Sequence, residues 1–231
     1  KQTDGKVATP SEKSVREERV KQAEDNATTT ATFTCVVDNN ITLTGGYADD
    51  PIKLLSNVVQ HSKHLCVGGD TGGKVTKLGV THTIACGITS FLPLLMYDGP
   101  ELYECLSALN RAELEFVGAT KDKNLSTIWE VLQWLIDEYD AFLNGDMKFI
   151  CTVLGHTGAS SKYPCPACLI KQRQYDKPYE MRESTEAGSV DEEHSVSNTP
   201  LLHIRPTHIV PLPLHIYLGM GEIIFDEILV K

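Results

Sequence analysis

Two apolar runs that each end in an aspartate constrain this chain more than anything else in it. Leu65-Cys66-Val67 runs into Gly68-Gly69-Asp70-Thr71-Gly72-Gly73-Lys74, and Ala141-Phe142-Leu143 runs into Asn144-Gly145-Asp146. A short apolar run closed by glycine and a polar residue reads as a buried strand that stops at a turn. An aspartate there is carried by a rigid backbone and can point at open solvent. Each Gly-Asp pair taken alone marks a turn more often than a site. The two together, with Cys165-Pro166-Ala167-Cys168 following Asp146 by 19 residues, shift the balance toward chemistry.

The rest of the pattern places these runs in a mixed α/β sheet. Thr32–Val37 and Ile41–Thr44 flank Asp38-Asn39-Asn40 and read as a weak hairpin. Asp50-Pro51 starts a helix through about Lys63, with Leu54, Leu55, Val58 and Val59 on one face. Leu65–Val67, the alternating Val75, Lys77, Val80, His82 and Ile84, and Ile88–Tyr97 read as three strands. Glu101–Phe116 and Leu125–Tyr139 have helical spacing, a short strand at 141–143 delivers Asp146, and Phe149–Leu154 begins another helix. Lys171–Thr199 is polar and reads as an exposed or mobile loop; Leu201–Pro213 reads as extended, and Leu214–Val230 as an amphipathic helix. Strands in this order with intervening helices make a mixed sheet with helices against it.

Composition narrows the class. The chain has 231 residues, of which 41% are hydrophobic, enough for a substantial core in one large or two small domains. No window of about 18 uninterrupted apolar residues is present, so no membrane span is expected. Residues 1–30 are polar and charged, expected to be disordered or a short helix, and lack the apolar stretch of a secretory signal. The seven cysteines, two of them in a tight Cys-x-x-Cys and the rest scattered, suit a reducing compartment and a metal site better than a disulfide framework. The net charge of −10 argues against strong, self-sufficient binding to nucleic acid, since phosphate neutralisation supplies much of that affinity. It does not argue against a nuclease, whose active site concentrates carboxylates.

The two aspartates suit a pair of hard divalent ions, Mg²⁺ or Mn²⁺, that clamp the attacking and leaving oxygens of a phosphodiester displacement. Gly68, Gly69, Gly72 and Gly73 would let a nucleic-acid backbone approach Asp70 closely. Cys165 and Cys168 have the spacing of half a tetrahedral Zn²⁺ site, with Pro166 tightening the turn. His203 and His208 have the His-x4-His spacing of a second half, although 34 residues separate them from Cys168. Either these two histidines close a Cys2His2 site or the site stays open.

Other signals read as structural. Gly68-x4-Gly73-Lys74 is most of a phosphate-binding loop, but Val75 replaces the Ser or Thr that would hold Mg²⁺, Asp70 would repel phosphates, and the alternation after Lys74 continues as a strand. His61, His64 and Cys66 read as packing or surface groups, and Trp129 and Trp134 as helix-face core residues.

These residues resemble the catalytic core of DDE-type transposases, on the branch of the Transib transposases and the catalytic subunit of the V(D)J recombinase. The resemblance runs from about Leu65 to Ile228. It is carried by the strand ending in Asp70, by Leu94–Glu115, by Asn144-Gly145-Asp146 through Ser160-Ser161-Lys162-Tyr163-Pro164-Cys165-Pro166-Ala167-Cys168, and by Leu214-His215-Ile216-Tyr217-Leu218-Gly219. It implies an RNase H-like mixed sheet flanked by helices, with Asp70 and Asp146 as the first two catalytic acids and metal ligands. It also implies a structural zinc knuckle at Cys165 and Cys168, and a nuclear protein of DNA recombination. On this reading residues 31–64 are an N-terminal hairpin and helix, 65–160 the catalytic core, 161–213 the zinc knuckle and loop, and 214–231 the start of a helical insertion. The family's third acid and its zinc histidines lie beyond that insertion, so this chain is expected to be part of a strand-cleavage and strand-transfer core. DNA, bound through the complete protein, and a second copy in a homodimer are the expected partners. The alternative expectation is a catalytically inactive, domesticated transposon-derived domain that serves as an interaction module.

Overall fold

The computed structural model describes residues 30–37, 41–72, 74–84, 89–174, 177–182 and 190–211. The N-terminal segment and the helix expected at 214–230 lie outside the described residues. Seven strands form one mixed sheet: β1 (Thr30–Val36), β2 (Thr42–Ala48), β3 (Ser62–Gly72), β4 (Val75–Ile84), β5 (Thr89–Asp98), β6 (Phe142–Gly145) and β7 (Ile209–Pro211). Their spatial order is β1-β2-β5-β4-β3-β6-β7. The first five pair antiparallel, while β6 pairs parallel with β3 and β7 parallel with β6. The expected hairpin is therefore β1 and β2, and it extends the same sheet by pairing with β5.

Five helices accompany the sheet: α1 (Pro51–His61), α2 (Tyr103–Ala108), α3 (Ala119–Asp122), α4 (Ile128–Tyr139) and α5 (Met147–Val153). The Asp50 side chain accepts the Lys53 N–H and Pro51 stands in the first turn, which explains where α1 begins. Thr127 and Glu130 form a reciprocal capping box at the start of α4, and Asp140, with φ of 51°, ends it in the left-handed region. The helix expected over 101–116 is confined to α2. Beyond Leu109 the buried Ala112, Leu114 and Phe116 alternate with exposed residues, as in an extended segment laid on the core.

Alternation along the antiparallel strands divides the two faces of the sheet. One face buries Phe33, Cys35, Leu43, Tyr47, Val67, Leu78, Val80, Leu95 and Tyr97 against the helices. Trp129 of α4 completes this layer and donates its indole N–H to Leu106 O at 2.8 Å. The other face, with Thr32, Thr34, Thr44, Phe91 and Met96, is exposed. No helix among the described residues is long and apolar enough to cross a membrane.

The described residues of 171–181 and 190–193 are exposed, as expected of a loop, but Arg182 and 194–196 attach to the body of the protein. Leu169 and Arg182 hydrogen-bond back to Glu180 and Ala167, Cys168 bridges to Met181, and Val196 bridges to His156. Ser195 and Val196 are buried. The polar composition hid these attachments, because they are made largely by backbone groups and by one arginine.

Candidate carboxylate and cysteine sites

Asp70 lies within β3, where it pairs across the ladder with Lys77 of β4. The polypeptide turns at Lys74, with φ of 92°, and enters β4 at Val75, so the glycine-rich segment is a hairpin end and leads into no helix. Asp146 follows β6 and caps α5, its Oδ1 accepting the Phe149 N–H at 2.7 Å.

The parallel ladder between β3 and β6 pairs Cys66 with Phe142, Val67 with Leu143 and Gly68 with Asn144. Asp70 and Asp146 each stand two residues beyond the last of these pairs. Residues two apart in a strand share a face, so Asp70 shares the face of Gly68. Asp146 keeps extended backbone, with φ of −68° and ψ of 164°, and shares the face of Asn144. Adjacent strands lie about 4.8 Å apart, so the two backbones run side by side where these aspartates follow them. Asp70 is exposed and Asp146 half-buried.

Phe149 fixes this strand end from the opposite face. A side chain on Gly69 would collide with the Phe149 ring, and one on Gly145 would come within 2.6 Å of its Cδ1. A side chain on Gly68 would meet the Asn144 backbone. The space beside these three glycines is thus taken by the protein itself, and close approach of a nucleic-acid backbone does not account for them. Another acid on this end of the molecule, missed in the sequence, is Glu101. It is buried, and its only sequence signal is a carboxylate just before a helix.

Cys165 and Cys168 sit on a tight turn. Cys165 Sγ accepts the Ala167 N–H at 3.4 Å. Burial is the main cause that holds the Cys168 thiol above its ordinary range. Cys151 of α5 is buried as well; desolvation, then the neighbouring Cys165, pushes its thiol up to about 12, so it packs as a neutral group.

Arg182, which sequence reasoning left inside a polar run, holds this region together. Its Nε donates to Cys165 O at 3.0 Å, and its Nη2 donates to His194 O at 2.8 Å and lies 3.2 Å from His156 Nε2. His156 is buried and accepts the Gly158 N–H on Nδ1 at 2.9 Å. Desolvation, with the Arg182 cation adding to it, lowers its pKa to about 4.

His203 and His208 are placed elsewhere. Gln133 of α4 brackets His203, accepting its N–H at 2.7 Å and donating to its carbonyl at 3.1 Å. His208 stacks on Phe142 with ring centroids 4.7 Å apart, and its Nε2 lies 3.1 Å from Asp140 Oδ1. Together they line a pocket with Ile136, Asp137, Asp140, Ile204 and Arg205. The expected Cys2His2 set is not assembled, because Gln133 and Phe142 pin the extended segment to α4 and β6. Among the described residues no three Cys, His, Asp or Glu side chains gather closely enough to hold a metal ion.

Comparison with models of known protein families, with curated proteins and with solved structures finds no match to this chain.

Proposed function

We propose that this chain carries the carboxylate pair of an RNase H-like, DDE-transposase-type core for metal-dependent phosphodiester cleavage and strand transfer. The observation that supports this reading is the parallel pairing of β3 with β6, with Asp70 and Asp146 each two residues beyond the last paired position. The mixed sheet with helices packed against it, antiparallel through β5-β4-β3 and parallel through β6 and β7, supports the reading. Mg²⁺ or Mn²⁺ bound there would supply Lewis acidity to a phosphodiester. The protein's own part is to hold two carboxylates on rigid backbone: Asp70 through its ladder to β4, and Asp146 through its cap on α5.

The Cys165-Pro166-Ala167-Cys168 turn, closed by the Ala167 N–H on Cys165 Sγ, fits half of a structural zinc knuckle. DNA is the proposed substrate, the nucleus the proposed location, and a homodimer the proposed assembly.

A second reading, an interaction module without catalysis, is favoured by a specific observation. One oxygen of Asp146 is engaged as a helix cap, and no third acid joins the pair among the described residues. Titration with Mn²⁺, followed by water-proton relaxation, separates the two. The catalytic lineage predicts a site lost in both Asp70→Asn and Asp146→Asn. Binding unchanged in both variants would leave only the module.

A further inference from the structure

Glu101 is only 4% exposed, an unusual place for a glutamate. It lies in the turn between β5 and α2. Its Oε2 accepts the Thr71 hydroxyl at 3.0 Å, and its Oε1 lies 3.4 Å from Lys148 Nζ. Thr71 is the residue after Asp70, and Lys148 stands in the first turn of the helix that Asp146 caps. A single buried carboxylate therefore touches both chain segments that present the aspartates.

The position matters because of where the backbone pairing stops. The ladder between β3 and β6 ends at Gly68 and Asn144, short of both aspartates. Past that point each aspartate is fixed within its own element, Asp70 by β4 and Asp146 by α5. Their separation is set by contacts that span the two elements. Phe149 makes an apolar one from the core side. Glu101 makes a polar, directional one. A carboxylate removed from water keeps its charge only when paired and hydrogen-bonded, so it holds its partners in defined places.

We infer that Glu101 is a positioning residue for the divalent-ion site formed by Asp70 and Asp146, bridging Thr71 and Lys148 so that the two carboxylates keep the separation one ion requires. The inference rests on the carboxylate-site reading above. It assigns Glu101 no contact with the ion itself. Removal of a group that orients a ligand weakens metal affinity by about 10- to 100-fold, and this is the loss expected here.

The test is a Mn²⁺ titration of the full chain by water-proton relaxation, paired with thermal unfolding in metal-free buffer. Glu101→Gln keeps the shape and a hydrogen bond to Thr71 but loses the attraction to Lys148. It is expected to weaken Mn²⁺ binding at least tenfold. Lys148→Met, on an exposed side chain, breaks the other arm and is expected to weaken binding in the same direction. Glu104→Gln removes an exposed acid on the neighbouring helix turn and is expected to leave affinity unchanged, which separates positioning from bulk charge. Should Glu101→Gln fail to fold, Lys148→Met and Thr71→Val decide, and wild-type affinity in both overturns the inference. Asp146→Asn, which keeps a good helix cap, distinguishes the levels. If it abolishes binding while Glu101→Gln and Lys148→Met bind like wild type, the positioning role alone is wrong. If wild-type protein binds no Mn²⁺, the carboxylate site falls, and this inference with it.

Discussion

The ring of Phe149 occupies the space that any side chain on Gly69 would need, and it does the same at Gly145 on the neighbouring strand. The glycine before each aspartate is thus a seat for the helix that Asp146 caps. Gly69→Ala must push against this ring and against the Lys77 carbonyl, 2.9 Å from the added carbon. It is expected to destabilise the fold by about 1–3 kcal/mol, as overpacking does. Phe149→Ala opens a void instead and is expected to cost about 3–5 kcal/mol. Urea unfolding of both variants measures this, and a Gly69→Ala protein as stable as wild type would show that the ring yields freely.

Zinc, if held by the Cys165 and Cys168 turn, stabilises only the folded state, so metal content and stability move together. Cys168→Ser is expected to lower both. The structure adds that His203→Ala and His208→Ala leave zinc content unchanged, because Gln133, Phe142 and Asp140 hold these histidines in a different place. Elemental analysis with thermal unfolding checks this. Full occupancy in Cys168→Ser, or loss of zinc in both histidine variants, would contradict it.

Acid should loosen the segment around Arg182. The pKa of His156 is about 4 in the folded chain, against an ordinary value near 6.5. Between those values the unfolded chain binds the extra proton, so stability is fully present above about 6.5 and declines as pH falls toward 4. The loss reaches about 3 kcal/mol at most, at 1.36 kcal/mol per unit. Unfolding followed from pH 7 to 4 should show this slope, and His156→Gln should flatten it. An identical slope in the variant would assign the acid sensitivity to other groups.

The strands that carry the two aspartates were legible because each is a short apolar run closed by glycine; alternation gave β4, and an apolar run gave β5. Asp50-Pro51 and the 128–139 periodicity likewise marked α1 and α4. Other parts were not legible for physical reasons. β7 has three residues and forms only because β6 offers a parallel edge. The helical spacing of 101–116 was real for α2, but Ala112, Leu114 and Phe116 satisfy the core in an extended form that spacing alone does not distinguish. Arg182 and Glu101 work through single long-range contacts, to Cys165, His194, Thr71 and Lys148, that leave no periodic trace.

Cleavage of DNA by the purified chain is expected to be slight. Among the described residues no third acid joins Asp70 and Asp146, and misplacement of reacting groups by about 1 Å costs on the order of 100-fold in rate. The net charge of −10 also opposes the approach of DNA. A plasmid-nicking assay with Mg²⁺ or Mn²⁺ should stay near background. Robust nicking abolished by Asp70→Ala or Asp146→Ala would show that another local acid completes the site.

The most direct test of the central claim is to let the bound ion report its own surroundings. Fe²⁺ in place of Mg²⁺, with ascorbate and peroxide, generates hydroxyl radicals that cut the backbone beside the ion. If Asp70 and Asp146 share one ion, mass spectrometry should find cuts at the end of β3 and at the β6–α5 junction together. Both should be suppressed by excess Mg²⁺ and absent from Asp146→Asn. Cuts at only one of these places, or cuts that persist in Asp146→Asn, would contradict a shared carboxylate site.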